Sequence, residues 1–304
     1  MTKRYDVAVI GAGAAGLSAT IALRQQGLDV LLLERSMPGG KLNTYQTLEN
    51  FPGYEHLNAQ TLGLKLYEEV TQLGVQSTYA DVSSINPDDQ GFIIQADSGT
   101  YFSQTVIIAS GTKEKPLTIP GAESLLGQGI SYCAACDGGF FQGKDIAVIG
   151  GDSHAIEETI FLANMCHHVY LLLPPGRPVA AQQLLAKVTQ LNNVSVIQEA
   201  TPIAVLGEQV VTGLTYLSAT QGQQDLMVDG IFPILGWVPA AAFAETFSQL
   251  IGQDGYLLAQ REGTTVIPGL FVIGDVQAKT TRLVKNVIAQ GNLVAFQVSQ
   301  FLKR

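Results

Sequence analysis

The sequence predicts an α/β chain made of two dinucleotide-binding-type βαβ domains. Three observations carry that expectation. A glycine fingerprint, Gly11-Ala-Gly13-Ala-Ala-Gly16, directly follows an apolar run of strand length. The same unit recurs without a gap at a shift of 139 residues (150 − 11). And 304 residues, 46% hydrophobic and 14% charged, suit two domains with well-filled cores.

Composition also excludes function classes. Seventeen Lys and Arg against 26 Asp and Glu give a net charge of −9, the opposite of a nucleic-acid footprint, so no nucleic-acid partner is expected. No apolar run reaches the roughly 18 residues of a membrane span, so no membrane association is expected. Val7–Ile10 is too short for a signal-peptide core, and the expected localisation is cytoplasmic. Of three cysteines, two form Cys133-Ala-Ala-Cys136, which points to redox or metal chemistry more than to a structural disulfide framework.

The first unit reads in order. Tyr5–Ile10 is a strand, Leu17–Gln26 a helix stopped by Gly27, and Asp29–Leu33 a second strand closed by Glu34. Gly11 permits the tight turn, Gly13 lets backbone approach a pyrophosphate, and Gly16 lets helix and strand pack closely. The helix N-terminus offers free N–H groups to phosphates. Glu34 sits where an acid accepts bonds from ribose hydroxyls.

The second unit keeps the frame and loses the chemistry. Asp145–Gly150 repeats Asp6–Gly11, and Val169–Leu172 repeats Val30–Leu33. But Asp152 stands for Gly13, Ala155 for Gly16 and Leu173 for Glu34. Asp152 brings a negative charge to the pyrophosphate position; it or Ser153 serves as a helix N-cap. Leu173 cannot bond a hydroxyl, and Pro174-Pro175-Gly176-Arg177-Pro178 carries a single arginine. No NAD(P)H binding is expected here.

Just before this unit stands Cys133-Ala-Ala-Cys136-Asp137. Two spacers bring both sulfurs within disulfide reach if they start a helix, whose N-terminus activates a thiol. Asp137 is the candidate proton carrier. Zinc needs four ligands, and Cys166, His167 and His168 match no usual spacing, so no metal is expected. A purely structural CxxC remains the bland alternative. Cys166 reads as a buried helix residue, and His154, His167 and His168 as solvated or core histidines.

Taken together, the glycine fingerprint, Pro38-Gly39-Gly40-Lys41-Leu42, Glu49-Asn50-Phe51-Pro52-Gly53, Ala109-Ser-Gly111-Thr112, Cys133-Ala-Ala-Cys136-Asp137-Gly138 and Gly274-Asp275-Val276 resemble the low-molecular-weight thioredoxin reductases across essentially the whole chain. The resemblance implies two Rossmann-like nucleotide-binding domains, the second inserted in the first. Residues 1–114 and 241–304 would form an FAD-binding domain and 115–240 a CxxC-bearing, degenerate NAD(P)-type domain, with joints near Thr112–Pro116 and Gly236–Ala241. It also implies a homodimer. Gly11, Gly13, Ala14, Ala15 and Gly16 would cradle the FAD pyrophosphate, and Glu34 would bind the adenosine ribose. Gly39, Gly40, Leu42 and Asn50 would line the flavin, with Ala109 and Gly111 at the neighbouring strand end. Gly274 and Asp275 would hold the ribityl chain. Thr281–Leu283 would open the last helix, with Arg282 and Leu283 at the flavin. Cys136 would be the flavin-proximal thiol and Cys133 the exchange thiol toward a thioredoxin-like protein.

Asp152 and Leu173 are departures, and they make the chain resemble the pyridine-nucleotide-independent branch. Two types belong there: a ferredoxin-dependent flavin thioredoxin reductase, and a diflavin-linked disulfide oxidoreductase with a second FAD in place of NADPH. Ferredoxin at about −400 mV is a downhill donor to thioredoxin at about −270 mV, by about 6 kcal/mol for two electrons. The net charge of −9 opposes an acidic partner unless a basic patch acts locally. Lys279, Arg282 and Lys285 are candidates, as are Lys113 and Lys115. Tyr132, Phe140, Phe141 and Trp237 are aromatics able to floor a second flavin. An NADPH-dependent reductase, a small-molecule dithiol oxidase and a non-enzymatic binding module stay as further alternatives.

Overall fold

Among the described residues strands outnumber helices. In the computed structural model, which describes residues 3–45, 47–48, 51–54, 56–176 and 182–303, they fall in two units, 1–113 with 238–304 and 114–237. The second boundary therefore lies at 237/238, where the sequence reading put it at 240/241.

In chain order the first segment holds β1 (Arg4–Ile10), α1 (Ala14–Gln25), β2 (Val30–Glu34), β3 (Thr47–Leu48), β4 (Leu57–Asn58), α2 (Ala59–Gln72), β5 (Gln76–Tyr79), β6 (Val82–Asp88), β7 (Gly91–Ala96), β8 (Gly99–Ile108) and β9 (Thr112–Glu114). The middle holds α3 (Ala134–Asp137), β10 (Asp145–Ile149), α4 (Ser153–Ala163), β11 (His168–Leu173), α5 (Gln182–Thr189), β12 (Val194–Gln198), β13 (Ala200–Leu206), β14 (Gly213–Ser218), β15 (Gly222–Met227) and β16 (Gly230–Pro233). The last part holds β17 (Trp237–Pro239), β18 (Leu270–Val272) and α6 (Val284–Leu302).

The first unit is built on the sheet β5-β2-β1-β8-β7-β6, with β18 also paired to β8. Its β5, β2, β1, β8 and β18 run parallel, and β6, β7 and β8 form an antiparallel meander. Alternation splits the strands between two faces. Val7, Val9 and Leu32 pack with Leu17 of α1 and Val294 of α6, while Ala8, Ile10, Leu31 and Leu33 pack with Phe92 and Phe247. A sheet covered on both faces needs the near-continuous apolar strands seen here. α1 starts at Ala14, three residues before the expected Leu17, because extended Gly13 is its N-cap and the chain turns helical at once.

The second unit has the parallel sheet β12-β11-β10-β16 and the antiparallel ribbon β13-β14-β15. The repeat holds at the level of register. β1 pairs Val7 with Val30, and β10 pairs Ile146 with Val169, each number shifted by 139 (146 − 7 and 169 − 30). Among the described residues no helix is long and apolar enough to cross a membrane.

Candidate active site

The first glycine motif is built by backbone contact. A Cβ on Gly16 would sit 1.8 Å from the Gly11 carbonyl, and one on Gly11, at φ +102°, would sit 2.5 Å from the Ala109 carbonyl. Those two glycines therefore let α1 and β8 close on the turn. Gly13 is different: a Cβ there would meet nothing within 4 Å. Its glycine leaves open space over the N-terminus of α1, and no side chain caps that helix. An uncapped helix start facing open room fits a pyrophosphate.

The other predicted residues converge on the same turn. Gly39 bridges Gly13 and its N–H donates to the Ala12 carbonyl at 2.8 Å. Gly40 approaches Gly13, Gly274 approaches Ala15, and the Gly274 N–H donates to Gln290 Oε1. Glu34 accepts from the Ala12 N–H at 2.6 Å and from the N–H and hydroxyl of Ser36, so its carboxylate is oriented at the end of β2. Asp275 meets Lys41, whose Nζ lies 2.8 Å from its Oδ2. Gly111, at φ +68°, accepts from the Ala240 N–H at 3.1 Å.

A cavity of about 460 Å³ opens beside this turn, lined by Gly11, Glu34, Arg35, Ser83, Lys113 and Glu245 among others. The sequence reading did not place the last four beside this turn; of them it named only Lys113, as part of a basic patch. Arg35 follows β2, Ser83 is on β6, Lys113 on β9 and Glu245 on the 3-10 helix Ala242–Leu250, and no local motif announces them. Lys41 was also missed, because only the fold brings it to Asp275.

Leu42, Arg282, Leu283 and Asn50 were also expected at the flavin. Leu42 is 2% exposed and packs with Leu48 and Ala59, so its side chain supports the Gly39–Gly40 loop by packing. Arg282 is exposed and its guanidinium lies over the Tyr256 ring at 4.4 Å. Leu283 is the uncapped N-cap of α6. Asn50 lies outside the described residues.

In the second unit the corresponding helix start is occupied by its own chain. Asp152 is the N-cap of α4, and its carboxylate accepts from the Ala155 N–H at 2.9 Å. Leu173 is buried in the core. On the first turn, His154 stacks on Trp237 with centroids 6.2 Å apart and planes at 25°. One turn on, Glu158 has a buried Oε2 without a hydrogen-bond partner. Burial raises its carboxyl above the usual range, with His154 opposing the shift and Glu157 adding to it.

The dithiol pair of this unit is a disulfide, Cys133–Cys136. α3 is a single turn with Cys133 as its N-cap, so it offers less of a helix dipole than the spacing alone suggested. Cys133 Sγ accepts from the Cys136 N–H at 3.1 Å. Asp137 follows directly; its N–H donates to the Cys133 carbonyl, and its Oδ2 accepts from the buried Ser131 hydroxyl at 2.6 Å. Cys166 is buried and apart from this chemistry; burial, with Asp145 adding to it, pushes its thiol up to about 11. His167 bonds Asp145, and His168 bonds Ser195. Among the described residues no group of three or more His, Cys, Asp or Glu is placed to hold a metal.

Comparison with known proteins agrees with both halves. Residues 5–291 match the pyridine nucleotide-disulphide oxidoreductase family. The thioredoxin reductase of Listeria monocytogenes is 32% identical over 99% of this chain and 95% of its own, and that of Bacillus subtilis 29% identical over 99% and 96%. The crystal structure of Lactococcus lactis thioredoxin reductase, 30% identical, superposes with a TM-score of 0.87 over 99% of both chains. The chain belongs to the pyridine nucleotide-disulphide oxidoreductase family, and within it to the low-molecular-weight thioredoxin reductases: it is a flavin disulfide oxidoreductase of the thioredoxin reductase type.

Proposed function

We propose that the chain reduces the disulfide of a thioredoxin-like protein with electrons from a donor other than NAD(P)H, ferredoxin being the donor class, by way of FAD and the Cys133–Cys136 pair. The observation that carries the donor reading is the cap on α4. The same βαβ frame appears twice, and only the first copy leaves its helix N-terminus open. In the second, the Asp152 carboxylate already satisfies the Ala155 N–H that a pyrophosphate would take. A phosphate there meets a like charge and loses the donor.

FAD, when bound, supplies the conversion from one-electron delivery to the two-electron reduction of a disulfide. The chain's own residues do the rest. Gly13 and the start of α1 receive the pyrophosphate, Glu34 the ribose hydroxyls, and Asp275, steadied by Lys41, the ribityl hydroxyls. Two electrons and two protons turn Cys133–Cys136 into two thiols. The Cys133 thiolate then bonds one sulfur of the partner disulfide, whose S–S bond breaks, and the leaving thiolate takes a proton. Cys136 next bonds Cys133, releasing the second partner sulfur, which takes the other proton. Asp137 handles these protons. The thioredoxin reductase names of the relatives support a thioredoxin-like substrate.

An anaerobic titration tests the donor. Flavin absorbance that bleaches with reduced ferredoxin and not with excess NADPH supports the reading. Bleaching with NADPH overturns it and makes the protein an NADPH-dependent reductase. A second reading, a second FAD in the inserted unit, is favoured by the His154–Trp237 stack, a flat aromatic surface at the α4 start. About two flavins per chain released on denaturation would select it. The family resemblance also supports a homodimer; light scattering at the mass of one 32.4 kDa chain would overturn that.

A further inference from the structure

We propose that Ser131 is a positioning residue of the dithiol site, holding the Asp137 carboxylate in place and tying it to the backbone of Cys133. The inference rests on the reading of Asp137 as proton carrier.

Ser131 is itself anchored. It is 6% exposed, its N–H donates to the Ile231 carbonyl at 3.1 Å, and the preceding Ile130, 2% exposed, bridges Ile231 of β16. From this fixed point the hydroxyl reaches two groups. It donates to Asp137 Oδ2 at 2.6 Å and accepts from the Cys133 N–H at 3.1 Å. A hydroxyl has one proton and two lone pairs, so both bonds coexist. The Cys133 carbonyl lies 3.4 Å from the same oxygen, but one proton cannot serve both acceptors, and the shorter, charge-assisted bond to the carboxylate takes it.

Asp137 is thus held at two ends. Its N–H is fixed by the Cys133 carbonyl and its Oδ2 by Ser131. Among the described residues no other side chain bonds this carboxylate. With Oδ2 engaged, Oδ1 is the oxygen left to take a proton and hand it to the departing partner thiolate. The torsion that turns a carboxylate is broad and roughly two-fold. Without the Ser131 bond the carboxylate is free to rotate about that torsion, and misplacement by about 1 Å slows a positioned reaction by up to about 10²-fold.

The test uses holoprotein reduced with dithionite, mixed rapidly with oxidised thioredoxin and quenched in acid, with thiols counted by alkylation. Ser131→Ala is expected to lower the saturating rate about ten-fold and to leave the half-saturating thioredoxin concentration within two-fold. Ser131→Thr keeps the hydroxyl and is expected to recover most of the rate. Asp137→Asn is expected to lose about 10²-fold or more. On that background Ser131→Ala is expected to cost less than two-fold, since the group it positions is gone. If Asp137→Asn turns over at the wild-type rate, the proton-carrier reading falls. If Asp137→Asn is slow but Ser131→Ala is not, or if the two losses multiply in full, Asp137 stands and the role of Ser131 falls. Flavin content and circular dichroism of each variant exclude misfolding as the cause.

Discussion

Lys41 and Asp275 meet at 2.8 Å across 234 residues of sequence, and their ion pair joins the loop after β2 to the turn after β18. Both segments flank the open start of α1, so the pair closes one side of the turn proposed to cradle the flavin. Both side chains are about three-quarters or more buried, at 26% and 19% exposed. Truncating one partner leaves a charge that burial penalises. Lys41→Met is expected to weaken FAD retention by roughly ten-fold, about 1.4 kcal/mol. Flavin fluorescence released on dilution measures it. An affinity equal to wild type would remove the pair from the cradle.

Gly13 and Gly16 are expected to fail in different ways. An alanine at Gly13 meets no protein atom, and its φ of −76° suits any residue. Gly13→Ala should therefore fold with an unchanged melting temperature without flavin and bind FAD poorly. Gly16→Ala must push back the Gly11 carbonyl and should lose about 1–3 kcal/mol of stability before any ligand is added. Chemical denaturation of both apo-variants separates the two outcomes.

Asp152 serves the fold as the N-cap of α4. Asp152→Ala removes the bond to the Ala155 N–H and should cost about 1 kcal/mol. Asp152→Asn keeps a capping oxygen and should cost a few tenths. Urea midpoints measure both. Equal losses would mean that the charge, and not the cap, is what α4 needs.

Glu158 gives a pH signature. Its carboxyl is raised by burial, so the folded state holds this proton more tightly than the unfolded chain does. That contribution is complete at acid pH and is lost as pH rises through the raised value. Glu158→Gln cannot ionise. Its stability relative to wild type should therefore improve as pH climbs out of the carboxylate range. Parallel melting curves from pH 4 to pH 8 test the slope. A constant difference would mean that Glu158 ionises in the fold as freely as in solution.

The βαβ frame was legible because its spacing is dictated locally. Gly11, Gly16 and the strands on either side touch within one turn, so their order in the chain is their order in space. The repeat was legible for the same reason, down to the shared register of Val7 with Val30 and Ile146 with Val169. Asp152 was readable as a cap because an N-cap bonds an N–H only three residues away. What stayed hidden depends on tertiary approach. Lys41 finds Asp275 only when β18 lies beside β8. Leu42 sits in a motif that names it as a lining residue, yet a leucine beside Leu48 and Ala59 buries its side chain inward. Ser131 carries no motif of its own, and its value comes from the bend that returns Asp137 to it.

The two helix starts also set how the halves of the chain answer to ligand supply. α4 carries its anion covalently, as the Asp152 side chain. α1 must borrow an anion from solution, so the stability of its domain rises with the logarithm of free flavin.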